Sequence, residues 1–203
     1  MIITTDYPAT INHIKSHLQR EFEVKDLGNL HYFHGLEINQ TPCGYYLSQQ
    51  KFATDIVNRA GLTDLKLARM PLELNVKLNA TNGDPLFDVT KYRHLIGSLF
   101  YLTITRPDIS HMVHVLSQFV TAPHSSYQLA LLRVLRYIRE TPSRALFFSA
   151  SSSLILCSYS DADWASDIID RQSTIGYCIF LDDSLIYWES KKHDVVSHSN
   201  VEL

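Results

Sequence analysis

The stretch LILCSYSDADWAS, residues 154–166, decides the fold class of this chain. Its apolar start at Leu154 predicts a strand that is buried on both faces. That strand delivers Asp161 and Asp163 at its polar end. A carboxylate at the end of a central strand is well placed to hold a metal ion, because the sheet fixes the ligand while the strand end stays open to a substrate.

Two further strands are predicted directly downstream. Residues 174–181 form a β-branched and aromatic run, and residues 185–188 form a third apolar run. The short polar link at residues 182–184 is typical of a hairpin. The C-terminal part of the chain is therefore predicted to be a three-stranded antiparallel β-meander, in which the strand that carries Asp161 is central.

The first part of the chain predicts two helices around a hairpin. One helix begins after Asp6, and the other is capped by Ser48 and ends at Gly61. The hairpin turns at residues 41–44. Residues 63–89 have weak periodicity and predict an irregular connector.

Three more helices are predicted between the connector and the meander. Pro107 suits the first turn of the middle helix, and Ser125 or Ser126 caps the last one. The resulting order is helix, hairpin, helix, connector, three helices and meander. This order predicts the α+β class in two modules.

Composition excludes several classes of protein. The 203 residues carry a net charge of −3, so the chain is no polybasic nucleic-acid binder and any such surface must be local. No apolar run approaches the ~18 residues of a membrane span, and the N-terminus lacks a signal-peptide pattern. The three cysteines form no paired motif. We therefore expect an intracellular protein, cytoplasmic or nuclear, that is neither secreted nor bound to a membrane.

One local basic surface is predicted on the last helix. Arg133, Arg136 and Arg139 recur every three residues, which places them near one helix face. One interpretation is a strip that follows nucleic-acid phosphates, with Tyr137 beside it to stack on a base or sugar. The other is the solvated side of an amphipathic helix. The pattern alone leaves both open.

The acidic residues of the meander allow a metal hypothesis. A two-metal hydrolytic site aligns a water and a leaving oxygen between two cations and needs several converging carboxylates. Asp161 is one candidate ligand, and Glu202 is a second if it opens a helix behind the meander. His111 and His114 are three residues apart, but no third ligand accompanies them, so a transition-metal site is not predicted.

At these residues the chain resembles copia-type retrotransposon Pol polyproteins. The C-terminal part is similar to the start of their ribonuclease H domain, and the part before it is similar to their reverse transcriptase. The motifs are colinear over essentially the whole chain, which makes the resemblance specific. They are FEVKDLGNLHYFHGLEI (22–38), GYYLSQQKFATDIVNRAGL (44–62), YRHLIGSLFYLTITRPDIS (92–110), LRVLRYIRETP (132–142), SYSDADWASD (158–167), DRQSTIGYCIFL (170–181), SLIYWESKK (184–192) and VVSHSNVE (195–202).

The resemblance implies a division into three parts. Residues 1–62 correspond to the C-terminal palm with a primer-grip-like hairpin, residues 63–150 to a thumb- and connection-like helical region, and residues 151–203 to the N-terminal half of a ribonuclease H-like domain. The family usually has Leu at the position of His34. The implied primer-grip positions are Tyr32, Phe33, Gly35, Leu36 and Glu37.

The resemblance also implies partners and a cofactor. The partner is an RNA–DNA hybrid or template–primer duplex, with no small-molecule substrate, and the arginine strip would contact its backbone. The family uses Mg²⁺, and Asp161 matches the first metal-binding carboxylate of the nuclease. Glu202 aligns with the first Glu of the family's Glu-x-Glu-Tyr motif. The second Glu of that motif, which would be the metal ligand, is absent from this sequence.

Departures from the family predict the loss of catalysis. The chain begins just after the Tyr-x-Asp-Asp turn that holds the polymerase metals, and it stops before the later nuclease acids. We therefore expect this chain to bind no Mg²⁺ and to be inactive on its own. Two alternatives stay open: a non-catalytic module that binds an RNA–DNA duplex or RNA, and a piece of a longer active RNA-directed DNA polymerase and ribonuclease H.

Overall fold

The computed structural model describes residues 2–5, 7–71, 83–162 and 172–196, without the side chains of residues 172 and 193–196. The described helices are α1 Pro8–Glu21, α2 Gln50–Ala60, α3 Val89–Leu102, α4 Pro107–Ser117 and α5 Ser125–Glu140. The strands are β1 Tyr32–Phe33, β2 Leu36–Thr41, β3 Gly44–Ser48, β4 Leu146–Ser149, β5 Leu156–Ala162, β6 Gln172–Leu181 and β7 Ser184–Val196. The predicted α+β class is confirmed. None of the described helices is long and apolar enough to cross a membrane.

Four strands form the first sheet, in the order β1-β2-β3-β4 with antiparallel neighbours. The predicted hairpin is present, since Thr41 pairs with Gly44 across a two-residue turn. Strand β4 was not predicted, because four residues are too few to show a period. It pairs with β3 from Leu146 to Ser149, and Tyr46 and Phe147 place their ring centroids 4.8 Å apart across the pair.

The helical core joins α2 to α3, α4 and α5. These helices bury an apolar face, as Ile56, Leu99, Leu116 and Ile138 show with no exposed surface. Burying each such side chain stabilises the fold by about 1.5–3 kcal/mol. One core therefore includes residues from both sides of the division predicted at residue 62.

Two of the predicted helix caps are wrong. Ser48 is the last residue of β3, and the N-cap position of α2 belongs to Gln49, whose side chain makes no capping bond. Instead, the buried Gln49 accepts a hydrogen bond from Thr105 at 2.9 Å. Ser125 is the first residue of α5, where its hydroxyl accepts the N–H of Asp84. The first predicted cap, Asp6, lies outside the described residues.

Arg106 fixes the turn between α3 and α4. Its side chain is 2% exposed and forms two hydrogen bonds of 2.9 Å with the carboxylate of Asp108. It also donates to the carbonyl and hydroxyl oxygens of Thr141, both at 2.8 Å, and lies over the Tyr137 ring. Pro107 occupies the first turn of α4, as predicted.

The Asp108 carboxylate is held in its ionised form. Burial alone would raise the pKa of Asp108, but the hydrogen bonds from Arg106 and then Tyr137 outweigh burial and lower the pKa below its ordinary value of 3.8. The stability from this pair is therefore present above pH 3.8 and is lost as the pH falls through the lower folded-state pKa.

The second sheet is the predicted antiparallel meander, but its order differs from the prediction. Strand β6 is central and β5 lies at the edge, with every residue of β5 exposed. The apolar run at Leu154 was therefore wrongly predicted to be a strand buried on both faces, since Leu154 is 73% exposed and precedes the strand. The hairpin is confirmed with a shorter loop, because Ser184 already pairs with Leu181.

The meander contacts the rest of the chain through β7. The backbone N–H of Ser149 donates to the Ser184 hydroxyl at 3.1 Å, which links β4 to the start of β7. Further along, His111 and Ser190 are hydrogen-bonded at 3.2 Å. These contacts place α4 over one face of the meander.

We expect Asp108→Ala to lower the free energy of unfolding by about 3 kcal/mol or more, because it leaves the buried Arg106 guanidinium without its carboxylate. Urea unfolding at neutral pH measures this loss. Arg144→Ala is the matched control, since Arg144 reaches the same carboxylate at 3.3 Å from a side chain that is 55% exposed. Its loss should cost less than about 1 kcal/mol. Equal effects of the two substitutions would contradict this account of the turn.

Candidate nucleic-acid interface

The hairpin of β1 and β2 turns through two residues with left-handed backbone conformations. His34 has φ 47° and Gly35 has φ 80°, as in the type I′ turns that match the twist of paired strands. Glycine adopts such angles at little cost, and histidine adopts them more readily than most residues. Histidine therefore suits the conformation of a position where the resemblance predicts Leu.

The hairpin is fastened to two helices of the core. The Tyr101 hydroxyl of α3 donates a hydrogen bond to the carbonyl of His34. A Cβ atom on Gly35 would lie 3.3 Å from Cε1 of Tyr101, so the turn approaches that ring closely. The Glu37 carboxylate accepts the backbone N–H of Lys51 at 2.8 Å and thereby caps α2 from a neighbouring strand.

The predicted primer-grip positions therefore divide into three groups. Gly35 and Glu37 fasten the hairpin, whereas Tyr32 is 59% exposed on β1. Phe33 and Leu36 pair with each other across the strands and are half-buried. A role of these residues in gripping a primer stays a prediction.

The predicted arginine strip makes contacts within the chain. Arg136 donates to the Asp64 carboxylate at 2.5 and 3.2 Å, and this bond lowers the pKa of Asp64 below its ordinary value. Arg139 donates to the backbone carbonyls of Asp64 and Lys66 at 2.7 and 2.5 Å. All three arginines of the strip, Arg133 included, are half-buried. Two of them therefore hold the connector against α5.

Tyr137 is not placed to stack on a base. Its side chain is buried, and its hydroxyl donates to the Asp108 carboxylate at 2.6 Å. The prediction of a stacking ring beside the strip is therefore wrong. The helix face that holds Tyr137 packs on the turn fixed by Arg106, which lies far away in sequence and could not be inferred from a helical pattern.

Asp161 lies on β5, at the exposed edge of the meander. It pairs with Gly176 of β6, which in turn pairs with Ser190 of β7, so these three residues share one face of the sheet. A cleft of about 330 Å³ separates this face from α4 and is lined by Asp161, His111 and Trp188, among others. The Asp161 carboxylate accepts the N–H of Ala162 at 2.9 Å.

The described residues around Asp161 do not fit a Mg²⁺ site. Its in-register neighbours on the same sheet face are a glycine and a serine, and neither supplies the further carboxylate that a two-metal site needs. Across the described ranges, no three His, Cys, Asp or Glu side chains gather as a metal site would require. The second predicted ligand, Glu202, lies outside the described residues, as does Asp163.

Glu189 is a carboxylate that no sequence motif indicated. It accepts hydrogen bonds from the hydroxyls of Tyr177 and Tyr187, the latter at 3.1 Å, and the Tyr177 bond lowers the pKa of Glu189. Glu189 pairs with Tyr177 in register, so it lies on the opposite sheet face from Asp161. The two carboxylates therefore do not converge.

His111 and His114 lie between α4 and β7. His111 bonds to Ser190, and the Nε2 atom of His114 is buried without a hydrogen-bond partner among the described residues. Burial lowers the pKa of His114, and the nearby His111 and Lys192 lower it further, against an opposing effect of Glu189. Both histidines therefore belong to the packing of helix on sheet.

Comparison with known proteins gives a consistent set of relatives. A family described as reverse transcriptase (RNA-dependent DNA polymerase) matches residues 1–74. The chain is 40% identical to the Pol polyprotein of transposon RE1 from Arabidopsis thaliana, over the whole chain and 14% of that relative. It is 33% identical to the Pol polyprotein of transposon TNT 1-94 from Nicotiana tabacum, over the whole chain and 16% of that relative.

A shorter relative covers the same region. An uncharacterized mitochondrial protein of Arabidopsis thaliana is 37% identical over the whole of this chain and 84% of its own length. The chain spans 14% of the length of the Pol polyproteins of transposons RE1 and RE2. No solved structure matches this chain.

We expect Gly35→Ala to lower the free energy of unfolding by about 1–2 kcal/mol, because alanine is strained at a positive φ. The new methyl group would also press on the Tyr101 ring. Gly97→Ala is the matched control, since Gly97 lies within α3 and a Cβ there meets nothing within 4 Å. This control should stabilise the protein by about 0.5–1 kcal/mol. Thermal or urea unfolding compares the two variants. A stabilised Gly35→Ala variant would contradict the close approach of the turn to the Tyr101 ring.

We expect Arg139→Ala to destabilise the protein by about 1–2 kcal/mol, because the two connector carbonyls lose a charged donor. Arg20→Ala on α1 removes the same charge from an exposed side chain with no ion pair among the described residues. Urea unfolding of both variants separates lost contacts from lost charge. Indistinguishable stabilities would show that Arg139 does not hold the connector.

Proposed function

This chain belongs to the reverse transcriptase family of retrotransposon Pol polyproteins, and we propose that it forms the part of the polymerase that holds an RNA–DNA template–primer duplex. The observation that carries the proposal is the hairpin at residues 32–37. Tyr101 bonds this hairpin to the core, and Glu37 of the hairpin caps the N-terminus of α2. A surface that positions a duplex must be rigid when the duplex is bound. A hairpin fixed at both its turn and its second strand meets that requirement.

The proposed division follows the colinear motifs. Residues 1–62 are the end of the palm with the primer-grip-like hairpin, residues 63–150 the thumb- and connection-like helices, and residues 151–203 the first half of a ribonuclease H-like domain. Helix α2 of the first part shares one core with α3, α4 and α5 of the second part. This shared core supports the proposal that the two parts act as one rigid body. The antiparallel meander with Asp161 on its first strand supports the third assignment.

We also propose that residues 1–203 alone perform neither polymerisation nor hybrid cleavage. The support for the absence of hybrid cleavage is the setting of Asp161, whose neighbours on the same sheet face are Gly176 and Ser190. Neither residue supplies a second carboxylate for a pair of Mg²⁺ ions, and such a pair needs several. Phosphodiester chemistry therefore falls to residues other than those that surround Asp161 in the described part of the chain.

A second candidate is favoured by the length of the relatives. The whole chain matches 14% of the length of each of two Pol polyproteins. In this second candidate, the same residues are one segment of a longer, active enzyme. The duplex-holding role is common to both candidates. They differ in whether the catalytic carboxylates are joined to this segment.

We expect purified residues 1–203 to bind an RNA–DNA hybrid with strong salt dependence. For about four phosphate contacts, affinity should fall roughly a hundredfold between about 50 and 200 mM salt, because each contact releases counterions. Fluorescence anisotropy with a labelled hybrid measures this. Binding that is absent, or that does not change with salt, removes the proposed function.

The same samples test the absence of chemistry. With Mg²⁺ or Mn²⁺ added, the RNA strand should stay intact and a primer should not be extended. Asp161→Asn is the control for contaminating nuclease, because contamination is unaffected by that substitution. Cleavage that disappears in Asp161→Asn would show that the chain is an active ribonuclease.

A further inference from the structure

A cationic cleft lies between α2 and α3, away from the arginine strip of α5. It has a volume of about 400 Å³ and is lined by Arg59, Lys91 and His94, together with Thr90 and Asp88. We propose that this cleft binds the phosphodiester backbone of a nucleic acid. The proposal rests on the proposed function and names a site for it that the sequence analysis did not identify.

The helix register explains why these side chains face solvent together. Lys91 and His94 are three residues apart on α3, on the side opposite the buried residues Tyr92, Ile96 and Leu99. Arg59 lies in the last turn of α2 and is exposed. The two helices pack through a shared core, so their adjoining surfaces present the three basic groups in one cleft.

The charges of this cleft are not consumed by carboxylates. Within the described ranges, none of Arg59, Lys91 and His94 forms an ion pair, whereas Arg106 and Arg136 do. The Nε–H of Arg59 donates to the carbonyl of Asp55 at 3.3 Å, and this bond uses one of the five N–H groups of its guanidinium. Arg136 and Arg139 of α5 hold the connector, whereas the cations of the cleft remain for a ligand.

Among the described residues that line the cleft, Asp88 is the one opposing charge. Its carboxylate accepts the backbone N–H of Lys91 at 2.9 Å and so caps α3. The permanent charges of Arg59 and Lys91 exceed this single carboxylate, and the N-terminal end of α3 adds a partial positive charge. The net potential of the cleft therefore favours an anion.

The lining favours a backbone over a base. Apart from the imidazole of His94, no aromatic ring of the described residues lines the cleft, so it offers little surface for stacking. The Ser98 hydroxyl donates to the carbonyl of His94 and is thereby engaged. Cations without stacking partners recognise phosphates independently of sequence.

A chain of contacts joins the cleft to the hairpin. The Arg59 guanidinium carbon lies 5.8 Å from the centre of the Phe52 ring, and Phe52 meets Tyr101 edge to face at 5.2 Å. Tyr101 then bonds to the hairpin turn at His34. The cleft and the hairpin are therefore held by one set of packed side chains.

The test measures hybrid binding by anisotropy for single substitutions. We expect Arg59→Ala and Lys91→Ala each to weaken binding about 3- to 10-fold and to reduce the salt slope by about one. Lys25→Ala is the matched control, because Lys25 is an exposed cation that does not line the cleft. This control should change affinity less than about twofold, and thermal melts of all variants confirm folding.

Asp88→Asn tests the cleft in the opposite direction. Asparagine caps helices as well as aspartate does, so α3 stays intact while the opposing charge is removed. We expect affinity to rise about two- to fivefold at low salt. Arg59→Lys, which keeps the charge, should bind nearly as the unsubstituted chain does. If Arg59→Ala melts early, Arg59→Gln takes its place, because it removes the charge and keeps a long polar side chain.

The outcomes separate this inference from the proposed function. If the unsubstituted chain binds no hybrid, the proposed function fails and the cleft loses its ligand with it. If that chain binds, but Arg59→Ala and Lys91→Ala behave like Lys25→Ala, the cleft proposal alone is overturned. Weakened binding in both variants, with stronger binding in Asp88→Asn, supports it.

Discussion

The buried guanidinium of Arg106 sets the geometry on which the rest of this structure depends. It ties the α3–α4 turn to the end of α5 through Asp108 and Thr141, and this fixes the angle between three core helices. A buried cation is tolerated only when its donors are satisfied, and here carboxylate, carbonyl and hydroxyl oxygens satisfy them. Because α4 also carries the contacts to β7, the placement of the meander follows from the same turn.

Local sequence patterns predicted most helices and strands. The role of each element depends instead on contacts between residues that are distant in sequence. Local patterns predicted the helices α2 to α5, and Pro107 predicted the first turn of α4, because these features depend on neighbours along one helix. The roles of Glu37 and Arg139 depend on partners in other elements, which no periodicity encodes. The edge position of β5 likewise depends on the sheet order, since an apolar run reads the same at an edge as at the centre.

The candidate interface shows why charge patterns alone mislead. A run of arginines at helical spacing predicts a strip for phosphate, yet Arg136 and Arg139 are directed at the connector. The cleft at Arg59 and Lys91 has no such signature, because its charges come from two helices separated by the connector. Motif resemblance located the hairpin and Asp161, while the contacts around them show how each is held.

The pairing of β3 with β4 has a consequence for how the molecule is assembled. These strands join segments on the two sides of the entire helical block, roughly a hundred residues apart, so their closure carries a large entropic cost. During synthesis β3 emerges long before β4, and the edge of β3 that pairs with β4 stays unpaired until then. Completion of this sheet therefore has to follow synthesis of the whole helical block, and pairing across so large a sequence separation is slow.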